Sequence, residues 1–323
     1  MTDILTVTLN PAVDVSSTTP RLMPAHKMRC TQTHRYPGGG GINVTRVMDR
    51  LGANSLALYL AGGAMGQQLR KLVAQEKIAS HSLPIRDETR ESFAVLDAQT
   101  GNEYRFVLPG PQVQAPEWEA CVAFVQTMRP PPGIAVLSGT LPPGVPHDAY
   151  ARLAAVVKSR GGRVVLDTSG PELRAALAEG VWIVKPSLRE LSELTGRDLS
   201  DESVWLDAAR ELVTAGQAQW VALTLGERGA MLVGATQAWR ADAIKVPVLS
   251  ATGAGDSFLA GLVWALSRGL GEAEAFRYGM AAGTAALLTP GTDLCRKEDV
   301  LRLLPQVAMR LLGHRPGIST GKP

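Results

Sequence analysis

The sequence predicts an α/β fold, a mostly parallel sheet with helices on both faces. Three observations carry that expectation. Short apolar runs alternate with helical patterns over most of the chain, as β–α units of a parallel sheet do. The 323 residues, 45% of them hydrophobic, suffice for one large domain, alone or carrying a smaller element. Two segments break the alternation with extended sequence, as a small second sheet would.

Taken in order, ILTVTL (4–9) has the composition of a buried strand. GINVTRVMDRLG (41–52) sets Ile42, Val44, Val47, Met48 and Leu51 at helical spacing, and Gly52 ends the helix. SLALYLA (55–61) is a strand and GQQLRKLVAQEK (66–77) a helix. IAVLSG (134–139), RVVLDTSG (163–170), VWIVKP (181–186) and WVALTLG (220–226) are further strand-like runs separated by helical patterns. In such a sheet ligands bind at the carboxyl ends of strands. The interrupting segments are residues 13–35, extended and rich in Thr, Ser and Pro, and residues 90–108, which turn over at QTGN. Pattern alone leaves open a small separate sheet or two ordinary edge hairpins. MRPPPG (128–133) reads as a stiff connector within one domain, residues 1–312, and GHRPGISTGKP (313–323) as a disordered tail.

Bulk properties exclude several classes. A net charge of +3, dispersed and without interleaved aromatics, argues against nucleic acid as a partner. No apolar run reaches the roughly 18 residues of a membrane span, and MTDILTVTLNPAVD lacks a signal-peptide core. Three scattered cysteines fit reduced thiols, so a cytoplasmic protein is expected. The five histidines show no metal-ligand spacing.

Two glycine-rich loops resemble nucleotide fingerprints and fail the test. PGGGGINV (37–44) has Asn43 where GxGxxG needs its last glycine, and it lacks the GK[ST] of a P-loop. In GAGDSF, Phe258 stands where the third glycine belongs. The loop of Gly253, Ala254 and Gly255 can instead turn several N–H groups to one point at a helix start, where the dipole adds positive potential. That suits a phosphoryl group, and Asp256 beside it could take a proton from an attacking hydroxyl. A capped turn explains the same residues equally simply. The glycines of residues 38–41 leave backbone groups accessible, and Asn43 adds a two-way amide, a combination suited to sugar hydroxyls. Asp14 could accept bonds from vicinal hydroxyls or merely shape a turn.

Six motifs then occur in one order: TLNPAVD, GGGGINVTRVMDRLG, LSGTLPPGV, VKPSLRELSELTG, TLGERGAML and ATGAGDSFLAG. Over about residues 1–305 the chain resembles the ribokinase-like, PfkB-type sugar kinases, and within them the phosphosugar branch. The resemblance implies a Rossmann-like doubly wound domain with a small β-sheet lid, built from residues 13–35 and 90–108, pairing across a homodimer. It implies transfer of the ATP γ-phosphoryl, with Mg²⁺, to a phosphorylated ketohexose, fructose 6-phosphate first. A 1-phosphofructokinase, a tagatose-6-phosphate kinase and a non-catalytic sugar-phosphate sensor are the alternatives.

By position in the motifs, Asp256 would be the base, and Gly253, Ala254 and Gly255 the anion hole. Asp14, Gly39 and Asn43 would hold sugar hydroxyls, with Ser138 and Thr140 nearby. Lys27, Arg29, Arg90 and Arg105 would clamp the sugar phosphate, for which arginine is well shaped. Lys185, Thr224, Gly226 and Gly229 match nucleotide contacts, and Glu190 a Mg²⁺ contact through water. Ser250, Thr252, Ala286, Thr289 and Gly291 match a monovalent-cation site, for K⁺. One departure stands out: Ser187 occupies the place of the family's Asn in the Asn-x-x-Glu that ends at Glu190, and on the cofactor side its hydroxyl, shorter than an amide, would bond to a metal-bound water.

Overall fold

A computed structural model of the chain describes residues 4–312. The N-terminal half forms β1 (Ile4–Thr8), β2 (Ala12–Thr19), β3 (Thr31–Gly38), α1 (Gly40–Arg50), β4 (Ser55–Ala61), α2 (Gly63–Gln75), β5 (Ser80–Pro84), β6 (Arg90–Asp97), β7 (Glu103–Val107), α3 (Ala115–Thr127), β8 (Ile134–Ser138) and α4 (Ala149–Ser159). The rest forms β9 (Arg163–Asp167), α5 (Gly170–Ala178), β10 (Val181–Val184), α6 (Leu188–Thr195), α7 (Trp205–Thr214), β11 (Ala218–Thr224), β12 (Ala230–Val233), β13 (Ala238–Ala241), α8 (Ala254–Ser267), α9 (Glu272–Ala286), α10 (Lys297–Leu303) and β14 (Met309–Leu311).

These strands make two sheets. The large one runs β14-β13-β12-β11-β10-β9-β8-β1-β4-β5, and the small one β3-β2-β6-β7. From β11 to β5 neighbouring strands of the large sheet are parallel, and β12, β13 and β14 add an antiparallel edge. The expected doubly wound sheet and second small sheet are thus present, and the edge-hairpin alternative falls. The expected tail, residues 313–323, lies outside the described residues.

Side-chain alternation on the central strands feeds two cores. On β1, Leu5 and Val7 enter the core that also takes Leu137 and Tyr150, while Ile4 enters the core of Val47, Phe258 and Phe276. The inner face of β1 also carries two hydroxyls toward α1. Thr6 Oγ1 bonds Thr45 Oγ1 at 2.8 Å, and Thr8 Oγ1 accepts from Ile42 N at 3.2 Å. Both fix the start of α1 over the end of β1. β4 and β8 lie on opposite sides of β1, so the strand order reverses there and opens a crevice beyond the strand ends.

The small sheet stands over that crevice. Its register pairs Asp14 with Ser92, Ser92 with Val107, and Ala94 with Arg105. Period-two alternation therefore puts Asp14, Arg90, Ser92 and Arg105 on one face. Val13, Val15 and Phe93 point the other way, into a third core with Ile42 and Leu69. Residues 13–35 are not extended throughout: the stretch 20–30 between β2 and β3 is an irregular, largely exposed loop. Its Pro20 and Pro24 remove ladder donors, which is why the strands stop there.

Leu137, fully buried on β8 between the two halves of the large sheet, tests this core. Leu137→Ala is expected to cost about 2–5 kcal/mol in denaturant-induced unfolding.

Candidate active site

A cleft of about 500 Å³ lies between the sheets. Its floor is the strand ends and helix starts of the large domain, with Ser138, Asp167, Gly39, Gly40, Asn43, Gly255 and Asp256. Its roof is the inner face of the small sheet, with Asp14, Arg90 and Arg105.

The glycine run is a packing requirement. A Cβ on Gly38 would overlap the Asp14 carboxylate, and one on Gly40 would overlap Ser138 Oγ. Only bare backbone lets α1 begin this close to both. The second loop differs. Gly253 sits at the N-cap of α8 with φ 78°, a left-handed conformation suited to glycine, and no side chain caps the helix. The capped-turn reading of Asp256 therefore fails. Its carboxylate turns away from the α8 amides, and Oδ2 accepts from Asn43 Nδ2 at 2.8 Å. The first-turn amides of α8 keep their potential for an anion.

Asn43 is itself oriented. Arg46, one turn along α1, donates from Nη1 to Asn43 Oδ1 (3.3 Å) and to the Thr292 carbonyl (2.9 Å), and from Nη2 to Glu76 Oε1 (2.6 Å). Because the guanidinium can only donate, it fixes the carbonyl end of the amide and sends the NH₂ to Asp256. Thr292 Oγ1 in turn donates to Asp14 Oδ2 at 3.4 Å.

Four carboxylates line the cleft, Asp14, Asp167, Glu190 and Asp256, and burial is the largest influence on the three aspartates. It raises Asp14 to about 6, against the pull of Arg105 and Arg90. It also raises Asp167 to about 6, although Lys185 Nζ lies 3.0 Å from Oδ1. Asp256 is raised as well; the Asn43 hydrogen bond, then Lys185, Arg105 and Arg46, pull it back. Burial works against the charge on Lys185, but Asp167, with Asp256 and Glu190 beyond it, outweighs that and holds the ammonium above its ordinary value. A Cβ on Gly255 would stand 3.5 Å from Lys185 Nζ, so the cation sits beside the uncapped loop.

The remaining expected residues divide. Thr140 accepts from Asn10 Nδ2 at the cleft margin (3.1 Å). Arg90 donates to the carbonyls of Asn10 (3.0 Å) and Leu108 (3.3 Å), which aims it along the roof, and burial lowers its pKa. Lys27 and Arg29 are not brought to the cleft; they lie in the exposed 20–30 loop. Ser187 and Glu190 form a capping box on α6. Ser187 N and Oγ donate to Glu190 Oε2 at 2.7 and 2.8 Å, and Glu190 N donates to Ser187 Oγ at 3.3 Å. Glu190 nevertheless lines the cleft. Thr224, Gly226 and Gly229 are outside the cleft wall; Thr224 bridges to Ser187, and Gly229 has no room for a Cβ against the Ala241 carbonyl. Ser250 and Thr252 direct their hydroxyls to Glu103, while Thr289 Oγ1 donates to the carbonyls of Ala286 (2.9 Å) and Leu294 (3.0 Å). Gly291 lies against Ser16 of the small sheet.

Sequence reasoning missed Asp167, Arg46 and Glu103. A carboxylate ending the strand RVVLD was a visible signal for the first. Arg46 three residues after Asn43 on a buried helix face was one for the second. Nothing local marked Glu103.

The arrangement is an uncapped helix start with an adjacent raised carboxylate under a cationic roof. A pfkB family carbohydrate kinase model matches residues 1–299. The chain belongs to the pfkB family of carbohydrate kinases. The ATP-dependent 6-phosphofructokinase isozyme 2 of Mycobacterium tuberculosis is 40% identical over 305 residues, 94% of this chain and 90% of that one. The crystal structure of phosphofructokinase-2 from Escherichia coli in complex with fructose-6-phosphate has a TM-score of 0.89 at 36% identity, covering 95% of this chain and 99% of the other. That enzyme's structure in complex with potassium gives 0.90 at 37% identity, with the same coverage.

The raised Asp14 sets a linkage test. Unfolded, it loses its proton near 3.8; folded, near 6. Its contribution to stability is full below pH 3.8 and is lost as pH rises toward 6. Asp14→Asn removes that loss. The variant should unfold at higher denaturant than the parent at pH 8, by roughly 1–3 kcal/mol once solvent in the cleft is allowed for. The gap should shrink at pH 5.

Proposed function

We propose that this carbohydrate kinase transfers the ATP γ-phosphoryl to a phosphorylated ketohexose, fructose 6-phosphate to fructose 1,6-bisphosphate. The carrying observation is the pairing of Asp256 beside an uncapped helix start with two arginines, Arg90 and Arg105, across the same cleft. Asp256 accepts the proton of the acceptor hydroxyl. That oxygen bonds to the γ-phosphorus as the bond to the β–γ bridging oxygen breaks, and ADP leaves with the electron pair. The amides of Gly253, Ala254 and Gly255 and the Lys185 ammonium meet the charge on the transferring group. Asp14, Gly39, Asn43, Ser138 and Thr140 hold the sugar; Arg90 and Arg105 hold its phosphate.

Mg²⁺ would screen the nucleotide phosphates. Glu190 fits a contact to it through water, since Oε2 is engaged by Ser187 while the residue still faces the cleft. Among the described residues no cluster of three His, Cys, Asp or Glu could hold a metal by itself, which fits an ion carried by the nucleotide. For K⁺, the hydroxyl oxygens of Ser250, Thr252 and Thr289 retain lone pairs, and Leu249, next to Ser250, donates its N–H to the Leu287 carbonyl of the 286–291 stretch. Thr224, Gly226 and Gly229 border the nucleotide. The Ser187 cap gives the family departure a local structural reason, and the sensor alternative loses the one feature that favoured it.

The lid supports a homodimer. On the face of β7 opposite Arg105, Tyr104 and Phe106 expose 42% and 52% of their surface, an apolar strip in want of cover. Lys27 and Arg29 lie outside their own cleft and would reach a phosphate only in a second copy. A cytoplasmic location agrees with three free cysteines, and no described helix is long and apolar enough to cross a membrane.

A coupled ADP-release assay with fructose 6-phosphate, fructose 1-phosphate and tagatose 6-phosphate tests the reading. The highest kcat/KM is expected with fructose 6-phosphate; preference for either other sugar identifies the corresponding kinase. No release with any, alongside tight sugar-phosphate binding, makes the chain a sensor. Asp256→Asn should lower kcat about 10²–10⁴-fold while ATP binding, read by calorimetry, persists.

A further inference from the structure

Glu103 belongs to the roof but bonds to the floor. It opens β7, and its register partner is Leu96, so it shares the inner face of Arg105. Its carboxylate accepts from Ser250 Oγ at 3.2 Å to both oxygens and from Thr252 Oγ1 at 3.1 Å to Oε2. Ser250 Oγ also accepts from Thr252 N at 3.1 Å, closing a small ring of bonds. Thr252 directly precedes Gly253, the start of the anion loop. Residues 242–248, which lead into this stretch, form no helix or strand, and Val248 and Leu249 are 61% and 57% exposed. Ile244 and Val246 pack partly buried against the core, and beyond them the stretch is tied by Leu249 N to Leu287 O at 2.8 Å and by Glu103. Among the described residues Glu103 makes the side-chain hydrogen bonds between β7 and the large domain.

We infer that Glu103 is a positioning residue that makes the lid and the anion loop one mechanical unit. A sugar phosphate drawn under the roof by Arg105, two residues along the same strand face, holds β7 down. β7 then holds Ser250 and Thr252, and these set the direction of the amides that follow. The anion loop reaches its working geometry only with the lid seated, which ties phosphoryl transfer to an occupied sugar site and limits loss of phosphoryl groups to water. The inference rests on the kinase reading for its rate consequences and on geometry alone for the coupling.

The test uses the full chain at fixed potassium concentration, with whichever phosphosugar the parent turns over fastest. Glu103→Ala should lower kcat about 10-fold and change KM for the phosphosugar less than about 2-fold, the pattern of an interaction acting in the transition state. Glu103→Gln, whose amide oxygen can still accept a hydroxyl, should recover part of the loss. A Ser250→Ala/Thr252→Val double variant, which also removes the hydroxyls proposed for K⁺, should lose at least as much as Glu103→Ala, and adding Glu103→Ala to it should cost nothing further, since Glu103 acts through those two hydroxyls. Hydrogen exchange gives a readout independent of turnover. The peptide spanning 248–256 should exchange about 10-fold faster in Glu103→Ala, with β1 and β4 unchanged. Additive losses, an unchanged kcat, or unchanged exchange over 248–256 overturns the inference. If the parent phosphorylates no sugar, the kinase reading fails, and the exchange measurement still decides the coupling.

Discussion

The site depends on a carboxylate held where its charge is costly. Asp256 sits at the start of α8 with no ion pair of its own among the described residues, and burial raises its pKa. What fixes it is one neutral hydrogen bond from Asn43, whose direction is dictated by the Arg46 guanidinium behind it. A neutral donor orients the carboxylate without lowering its basicity as far as a salt bridge would. The two ends of one amide therefore link a structural ion pair, Arg46 with Glu76, to the carboxylate proposed as the base. The threonines of β1 and the glycines before α1 serve the same end, because Asn43 reaches Asp256 only when α1 starts tight against the strand end.

A second division of charge completes the arrangement. Asp167 shields Lys185 on the floor at 3.0 Å, while Arg90 and Arg105 face the cleft from the roof. The roof arginines line the cleft itself, whereas Lys185 stands behind its wall, beside Gly255 and paired with Asp167. The cleft thus sets a cationic roof over a floor lined by carboxylates. Stability bears the cost, since Asp14, Asp167 and Asp256 all resist ionisation in the folded chain.

Most of the large sheet was legible because its strands are apolar runs bounded by glycine and proline, and its helices carry regular periodicity. The lid hairpin at QTGN was legible for the same local reason. The irregular 20–30 loop was not, because Thr and Ser favour extended chain without requiring a partner strand. Asp256 and Asn43 were found through glycine-rich context and Asp14 through its place after the first strand, but the packing purpose of the glycines was missed: Gly38 and Gly40 clear space for Asp14 and Ser138. Ser187 was read as a weakened metal contact, although S-x-x-E before an apolar run is also a capping box. Glu103 left no trace, since its partners are 147 and 149 residues away.

The most direct measurement of the central claim is a crystal structure of the chain with fructose 6-phosphate and a non-hydrolysable ATP analogue. An Asp256 carboxylate oxygen should lie about 2.6–3.2 Å from the C1 hydroxyl, still held by Asn43, with the γ-phosphoryl group against the amides of Gly253 to Gly255. A C1 hydroxyl turned away from Asp256, or a phosphoryl group bound elsewhere in the cleft, would contradict the account.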